Sequence, residues 1–252
     1  MTAPDSQALT GHTALITGGA RRLGAAMAQA LHAVGANVVI HHRNSTADAA
    51  ALVQSLNARR ADSATAVRAD LLDMARLPAI VAAALRDFGR LDILINNAST
   101  FYATPVGAIT PEHFDDLVGT NFRAPLFLAQ AAAAELRRRH GLILNMVDIH
   151  GMRPLKQHPT YSAAKAALVM LTRSLARELA PEVRVNGIAP GPVMFPADLD
   201  IELQEEIIGK TLLKRSGNSQ DIAKAAVYFA TMAPFVTGQV LAVDGGRSQG
   251  SG

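Results

Sequence analysis

Short apolar runs alternate with amphipathic stretches along the chain. Ala14-Leu15-Ile16, Val38-Val39-Ile40, Leu91 to Ile95, Leu142 to Val147 and Val240 to Val243 are continuous or nearly continuous apolar segments, and Val183 to Ile188, interrupted by Arg184 and Asn186, is a further strand. Bounded by turn residues, they read as strands buried on both faces. Ala64 to Arg68 is a weaker strand that runs into Asp70-Leu71. Between the runs the spacing becomes helical, as at Leu23, Met27, Leu31 and Val34, which stop at Gly35. Leu52, Val53 and Leu56 mark a second helix, and Leu77, Ile80, Val81, Leu85 and Phe88 a third. A longer helical region is expected from Pro111 to about Arg139, another from Tyr161 to about Ala180, and a last from about Ser219 to Met232. Strand and helix in strict alternation predict an α/β protein, a single Rossmann-type doubly wound parallel sheet with helices on both faces and right-handed crossovers. Residues 11–248 form one such series, with residues 1–10 and 249–252 expected as flexible tails.

Composition narrows the class. The 252 residues are 49% hydrophobic, enough for one large core. No cysteine is present, which fits a reducing compartment and excludes disulfide and thiolate chemistry. The polar opening segment has no basic, apolar leader pattern, and no apolar run is long enough for a bilayer, so a soluble cytoplasmic protein is expected. The net charge of +3 is mild, and its densest cluster, Arg137-Arg138-Arg139, closes a helix where cations suit the dipole. With no Trp and 4% aromatic residues there is no stacking platform for nucleic acid. No metal site is read from the sequence.

The chemistry gathers around Asn145-Met146-Val147-Asp148 and Tyr161-Ser162-Ala163-Ala164-Lys165. Four residues apart on a helix, Tyr161 and Lys165 share one face. A nearby ammonium favours phenolate, so the tyrosine pKa is expected to fall toward working pH. Asp148 ends the preceding strand, where open α/β sheets bind ligands. As an alternative use, it caps backbone N–H groups of its loop.

Two loops point to a dinucleotide. Thr17-Gly18-Gly19-Ala20-Arg21-Arg22-Leu23-Gly24 joins a strand to a helix amino terminus, which suits either a pyrophosphate or a tight turn needing glycine at positive φ. Beyond the second strand stands Arg43, between His42 and Asn44-Ser45, where NAD-binding folds place a carboxylate. An arginine there favours a 2′-phosphate, hence NADP(H) over NAD(H), the plainer alternative being a solvated loop arginine.

With Asn96-Asn97-Ala98, Asn121 in Gly119-Thr120-Asn121, and Pro190-Gly191 added, the chain resembles the short-chain dehydrogenase/reductase family over about residues 11 to 248. The resemblance implies strand order 3-2-1-4-5-6-7 and a homotetramer. It implies Tyr161 as the catalytic acid, Lys165 on the nicotinamide ribose lowering the tyrosine pKa, Asn121 supporting a relay water, and Asp70 and Leu71 at the adenine. Further cofactor contacts are implied for Gly18, Leu23, Gly24, His42, Asn44, Asn97, Ala98, Pro190 and Gly191.

Departures from the general family guide the substrate. Asp148 replaces the usual serine, Asn-Asn-Ala-Gly becomes Asn96-Asn97-Ala98-Ser99, and Arg22 sits in the phosphate loop. With His42-Arg43 and Asn145 to Asp148, these look like the pteridine reductase branch. There the resemblance implies Arg22 and Ser99 on cofactor phosphate and pterin, Phe101 stacked on the pterin, and Leu155 at the substrate. Core packing is the alternative for Phe101. The expected function is NADPH-dependent reduction of dihydropterin to tetrahydropterin, with oxidised pterin and dihydrofolate as further candidates. The rivals are a carbonyl or 3-oxoacyl reductase of the same family and a non-catalytic NADP(H)-sensing protein.

Overall fold

The computed structural model describes residue 5, residues 7–195 and residues 199–250. The expected tail residues 1–4, 6 and 251–252 lie outside that range, as do residues 196–198. Seven parallel strands form one sheet, β1 (Thr13–Ile16), β2 (Asn37–His42), β3 (Ala64–Arg68), β4 (Ile93–Asn96), β5 (Leu142–Met146), β6 (Arg184–Pro190) and β7 (Val240–Val243), in the order 3-2-1-4-5-6-7. The helices are α1 (Arg22–Ala33), α2 (Thr46–Asn57), α3 (Leu77–Phe88), α4 (Pro111–Val118), α5 (Ala124–Arg139), α6 (Pro159–Leu179), α7 (Ile201–Gly209) and α8 (Ser219–Thr231). None among the described residues is long and apolar enough to cross a membrane.

Alternate residues of each strand feed two apolar layers. Ala14, Ile16, Val38, Ile40, Ile93, Ile95, Leu142 and Leu144 pack beneath α1 and α8. Leu15, Val39, Leu94, Ile143 and Val185 face α3 and α5 on the other side. Both faces being covered, the strands need no polar alternation, which is why they read as apolar runs. The packed body begins before residue 11, because Leu9 is buried and its N–H donates to the Val34 carbonyl at 2.8 Å.

The long helical region expected from Pro111 splits into α4 and α5 around a π-helical turn at Gly119–Arg123. Asn121 explains the break. Its Nδ2 donates to the Leu117 carbonyl at 2.9 Å, taking an acceptor that the helix ladder would use, so the backbone bonds reach one residue further. α7 was not expected. It buries no residue, so its sequence carries no periodic apolar stripe.

Candidate active site

The loops after β1, β2, β4 and β5 all leave the carboxyl ends of their strands, beside the point where strand order reverses between β1 and β4. A cleft of about 530 Å³ opens there, and it collects Gly18, Arg22, Leu23, Gly24, Arg43, Asp70, Leu71, Asn97, Ala98 and Ser99. His42 and Asn44 line an adjoining recess of about 220 Å³ with Arg43.

The glycine loop is held from three sides. Asn97 Nδ2 donates to the carbonyls of Thr17 (2.8 Å) and Gly18 (3.1 Å), while the Thr17 hydroxyl accepts the N–H groups of Asn97 and Ala98. The third tie, His41, escaped the sequence reading. Its Nε2 pairs with the Ala69 carbonyl at 3.1 Å, which makes Nδ1 the acceptor for the Gly18 N–H at 3.2 Å. Burial drives the His41 pKa down to about 4, so the ring is a neutral strut joining β1, β2 and β3. The only signal for it was a polar residue inside a strand that is otherwise buried on both faces.

A dinucleotide fits this loop. A Cβ on Gly24 would strike the Gly18 carbonyl oxygen and come within 2.7 Å of Asn97 Nδ2, so only glycine lets α1 start this close to the loop. Gly18 has φ +59°, so its glycine also serves the turn. The first turn of α1 has no side-chain cap, which leaves N–H donors facing the cleft for a pyrophosphate. Arg22, at φ 50°, spans the mouth and donates to the Met194 carbonyl at 3.1 Å. Asp70 lies 3.9 Å from the Arg43 guanidinium and caps the Leu72 N–H.

Asp148, Tyr161, Lys165 and Phe101 do not line that cleft but form a second group beside it. Tyr161 Oη donates to Asp148 Oδ2 at 2.7 Å, while Asp148 Oδ1 accepts the His150 N–H at 2.8 Å. The carboxyl therefore caps its loop with one oxygen and meets the phenol with the other. Lys165, 2% exposed, donates to the Met146 carbonyl at 2.9 Å, with its nitrogen 5.6 Å from the Tyr161 ring centre. A buried polar chain fixes β5 against α6. Asn96 Nδ2 donates to Asn145 Oδ1, and Asn145 Nδ2 to Thr172 Oγ1, both at 2.9 Å. Thr172 lies on α6 three turns beyond Tyr161, so this chain sets how the tyrosine meets the carboxyl at the end of β5.

The expectation that Lys165 depresses the Tyr161 pKa is corrected. Burial, then the Asp148 charge and hydrogen bond, push the phenol above its ordinary range, with Ser99 pulling weakly the other way. Burial also lowers Lys165 to about 8 against the opposing pull of Asp148, and the ammonium is turned to a carbonyl rather than to the phenol oxygen. As it stands, Tyr161 is a protonated donor aimed at a carboxylate.

Ser99 joins the two groups. Its hydroxyl donates to Asn121 Oδ1 at 2.6 Å, and the Asn121 amide donates to the carbonyls of Thr100 and Leu117 at 2.9 Å each. The Asn121 side chain thus braces the 99–100 loop. Phe101 is 54% exposed, one face stacked on His158 (4.7 Å, 9°) and its ring steeply inclined (77°) to that of Tyr161 at 4.8 Å. Core packing does not describe it. Leu155 is half-buried, its N–H on the Ser162 hydroxyl. Pro190 closes β6, and Gly191 packs where a Cβ would sit 2.5 Å from Asp244 Cβ; neither lines the cleft. Among the described residues no three His, Asp or Glu side chains cluster as metal ligands.

Residues 17–248 match the family described as Enoyl-(Acyl carrier protein) reductase. The chain is 38% identical to Pteridine reductase 1 of Leishmania tarentolae, over 95% of this chain and 97% of that protein. It is 33% identical to the 3-oxoacyl-[acyl-carrier-protein] reductase of Staphylococcus aureus, over 93% and 97% respectively. Its fold superposes on a blue fluorescent protein from a metagenomic library, crystallised in complex with NADPH, with TM-score 0.90, 34% identity and coverage of 96% and 99%. A glycine loop at the switch point, a Tyr and Lys one turn apart on α6, and relatives that span its whole length make this chain a member of the short-chain dehydrogenase/reductase family.

Proposed function

We propose that the protein is an NADPH-dependent reductase of pterins, converting a dihydropterin to its tetrahydro form. The dinucleotide, when bound, supplies the hydride that adds to the carbon of a ring C=N bond and leaves as NADP⁺. The adjacent nitrogen must then gain one proton, and Tyr161 with Asp148 is placed to deliver it. Uncapped N–H groups at the start of α1 would hold the pyrophosphate and Arg43 the 2′-phosphate, with Lys165 on the nicotinamide ribose.

One observation carries the pterin reading, namely the 2.7 Å bond between Tyr161 Oη and the Asp148 carboxyl. A carbonyl reductase needs only a hydroxyl at that position to bond the substrate oxygen. A carboxylate can instead take a proton from solvent and pass it to the phenol, replacing the one the phenol gives to ring nitrogen. Exposed Phe101, with one face on His158, leaves the other for a flat heterocycle. The relation to Pteridine reductase 1 supports the same choice.

The Staphylococcus aureus relative favours a second reading, 3-oxoacyl or carbonyl reduction. NADPH oxidation followed with dihydrobiopterin, dihydromonapterin and dihydrofolate beside a panel of ketones and 3-oxoacyl thioesters separates the two. Turnover is expected with dihydropterins and should exceed that with any ketone. Preference for the ketone or thioester panel would overturn the proposal.

A further inference from the structure

The edge of the sheet carries more positive charge than the loop after β2 alone accounts for. β3 is the edge strand, and its register sets Arg68 opposite His42. Arg68 Nε donates to the carbonyl of Arg43 at 3.1 Å. That bond anchors the guanidinium and leaves the donors on both terminal nitrogens free. Arg68 forms no ion pair among the described residues, and Arg43 has only the long 3.9 Å contact with Asp70.

Arg43, Asn44, Arg68, Asp70 and Arg76 line a cleft of about 670 Å³. It joins the glycine-loop cleft, because Arg43 and Asp70 line both. Three guanidinium groups thus face one carboxylate, an arrangement that repels itself unless an anion is shared between them. Next to it lies an independent sign of a missing partner. His42 is buried, lines the 220 Å³ recess with Arg43 and Asn44, and its Nδ1 has no hydrogen-bond partner. The charge of Arg68 is felt there, since after burial it is what lowers the His42 pKa.

The anion that suits this place is a phosphomonoester. Its three terminal oxygens can take two guanidinium forks at once, and its two charges match the excess. We infer that Arg68, fixed through the Arg43 carbonyl, supplies a second guanidinium for the ribose 2′-phosphate and so sets the choice of NADPH over NADH together with Arg43. The inference rests on the proposal that the protein uses NADPH. It adds a residue from β3, outside the loop after β2 where the sequence signal lies.

Calorimetric binding of adenosine 2′,5′-bisphosphate and adenosine 5′-monophosphate tests it without turnover. In Arg68→Gln the bisphosphate should bind roughly tenfold more weakly, from the loss of one charge-assisted contact at an exposed site, while the monophosphate is little changed. Arg68→Lys keeps the charge but cannot hold both the carbonyl and the phosphate, so it should lie between wild type and Arg68→Gln. It also serves if the glutamine variant unfolds. Equal weakening of the two ligands, or full retention of discrimination, overturns the role of Arg68 alone. Failure of the wild-type protein to favour the bisphosphate would remove the NADPH reading as well.

Discussion

The glycine-loop end of the site and the Tyr161 end are built from opposite materials. Around Gly18 and Gly24 the groups facing the cleft are backbone N–H donors, and the charges stand at the rim. The Arg43 side chain is 49% exposed. Around Tyr161 the working groups are side chains sunk in the interior, where Lys165, Asn145 and Thr172 are nearly or wholly inaccessible. Rim charges are screened, so each contributes little and can be exchanged without harm to the fold. Buried polar groups are strongly coupled, and one missing partner is felt by all the others. One end should therefore tolerate new side chains but no new Cβ, and the other the reverse.

The largest effect expected is at the buried end. Asp148→Asn keeps shape and removes the acid, and should lower turnover by roughly 10²–10⁴ while NADPH still binds. Tyr161→Phe should match it, and the double variant should be little worse than either, since the two act as one unit. Steady-state kinetics with a dihydropterin measures all three, and near wild-type turnover in Asp148→Asn would reduce that carboxyl to a loop cap. At the backbone end the matching blow is Gly24→Ala. Its methyl meets the Gly18 carbonyl and Asn97, and overpacking of this kind costs about 1–3 kcal/mol. NADPH affinity should drop with stability, as read by titration and urea unfolding. A fully stable, tight-binding alanine variant would show that the loop can open.

How much of this contrast was legible beforehand depends on what burial does to a pattern. Strands covered on both faces declare themselves, and β1, β2, β4 and β5 were found from apolar runs, whereas β7 is an apolar edge strand with Leu241 40% exposed and β6 is interrupted by Arg184 and Asn186. Sheet order came from family resemblance, because periodicity does not say which strands are neighbours. Tyr161, Lys165 and Asp148 were legible because helix spacing and strand ends convert sequence distance into proximity. His41 and Arg68 were not, since each acts through a partner remote in sequence, Gly18 for the first and Arg43 for the second. The direction of the Tyr161 shift failed for a related reason. Sequence spacing shows that a lysine is near, but not that it faces the Met146 carbonyl, nor how fully the phenol is buried.

Between the two ends stands Phe101, exposed yet held by His158 and Tyr161. Phe101→Ala should raise the dihydropterin KM by roughly tenfold, within the ~1–3 kcal/mol of one aromatic stacking face, and leave NADPH binding unchanged. Loss of NADPH affinity, or unfolding, would assign the ring to the scaffold instead. The smallest effect concerns pH and stability. His32 and His41 are held neutral with pKa values of about 4, against an ordinary 6.5. Their unfolded forms take up protons first, so stability is fully present above about pH 6.5 and drains as pH falls toward 4. Urea unfolding across that window should show it, and His41→Asn should make the loss shallower by about one proton. An unchanged slope would mean that His41 is already charged in the folded protein.

The π-helical turn at Gly119–Arg123 has a consequence for the chain's tolerance of length changes. Such a turn amounts to one extra residue within a helix, and each residue advances the helix by about 100°. The turn takes up that extra residue locally, so α5 is not rotated against α4, and Leu117 and Leu128 are both buried. Deleting a single residue at 119–123 would fuse the two into one regular helix. It would leave the buried faces of α4 and α5 in place but draw Asn121 away from Thr100 and Ser99. A change of sequence length by one would thus be felt at the brace on the 99–100 loop rather than across a whole layer.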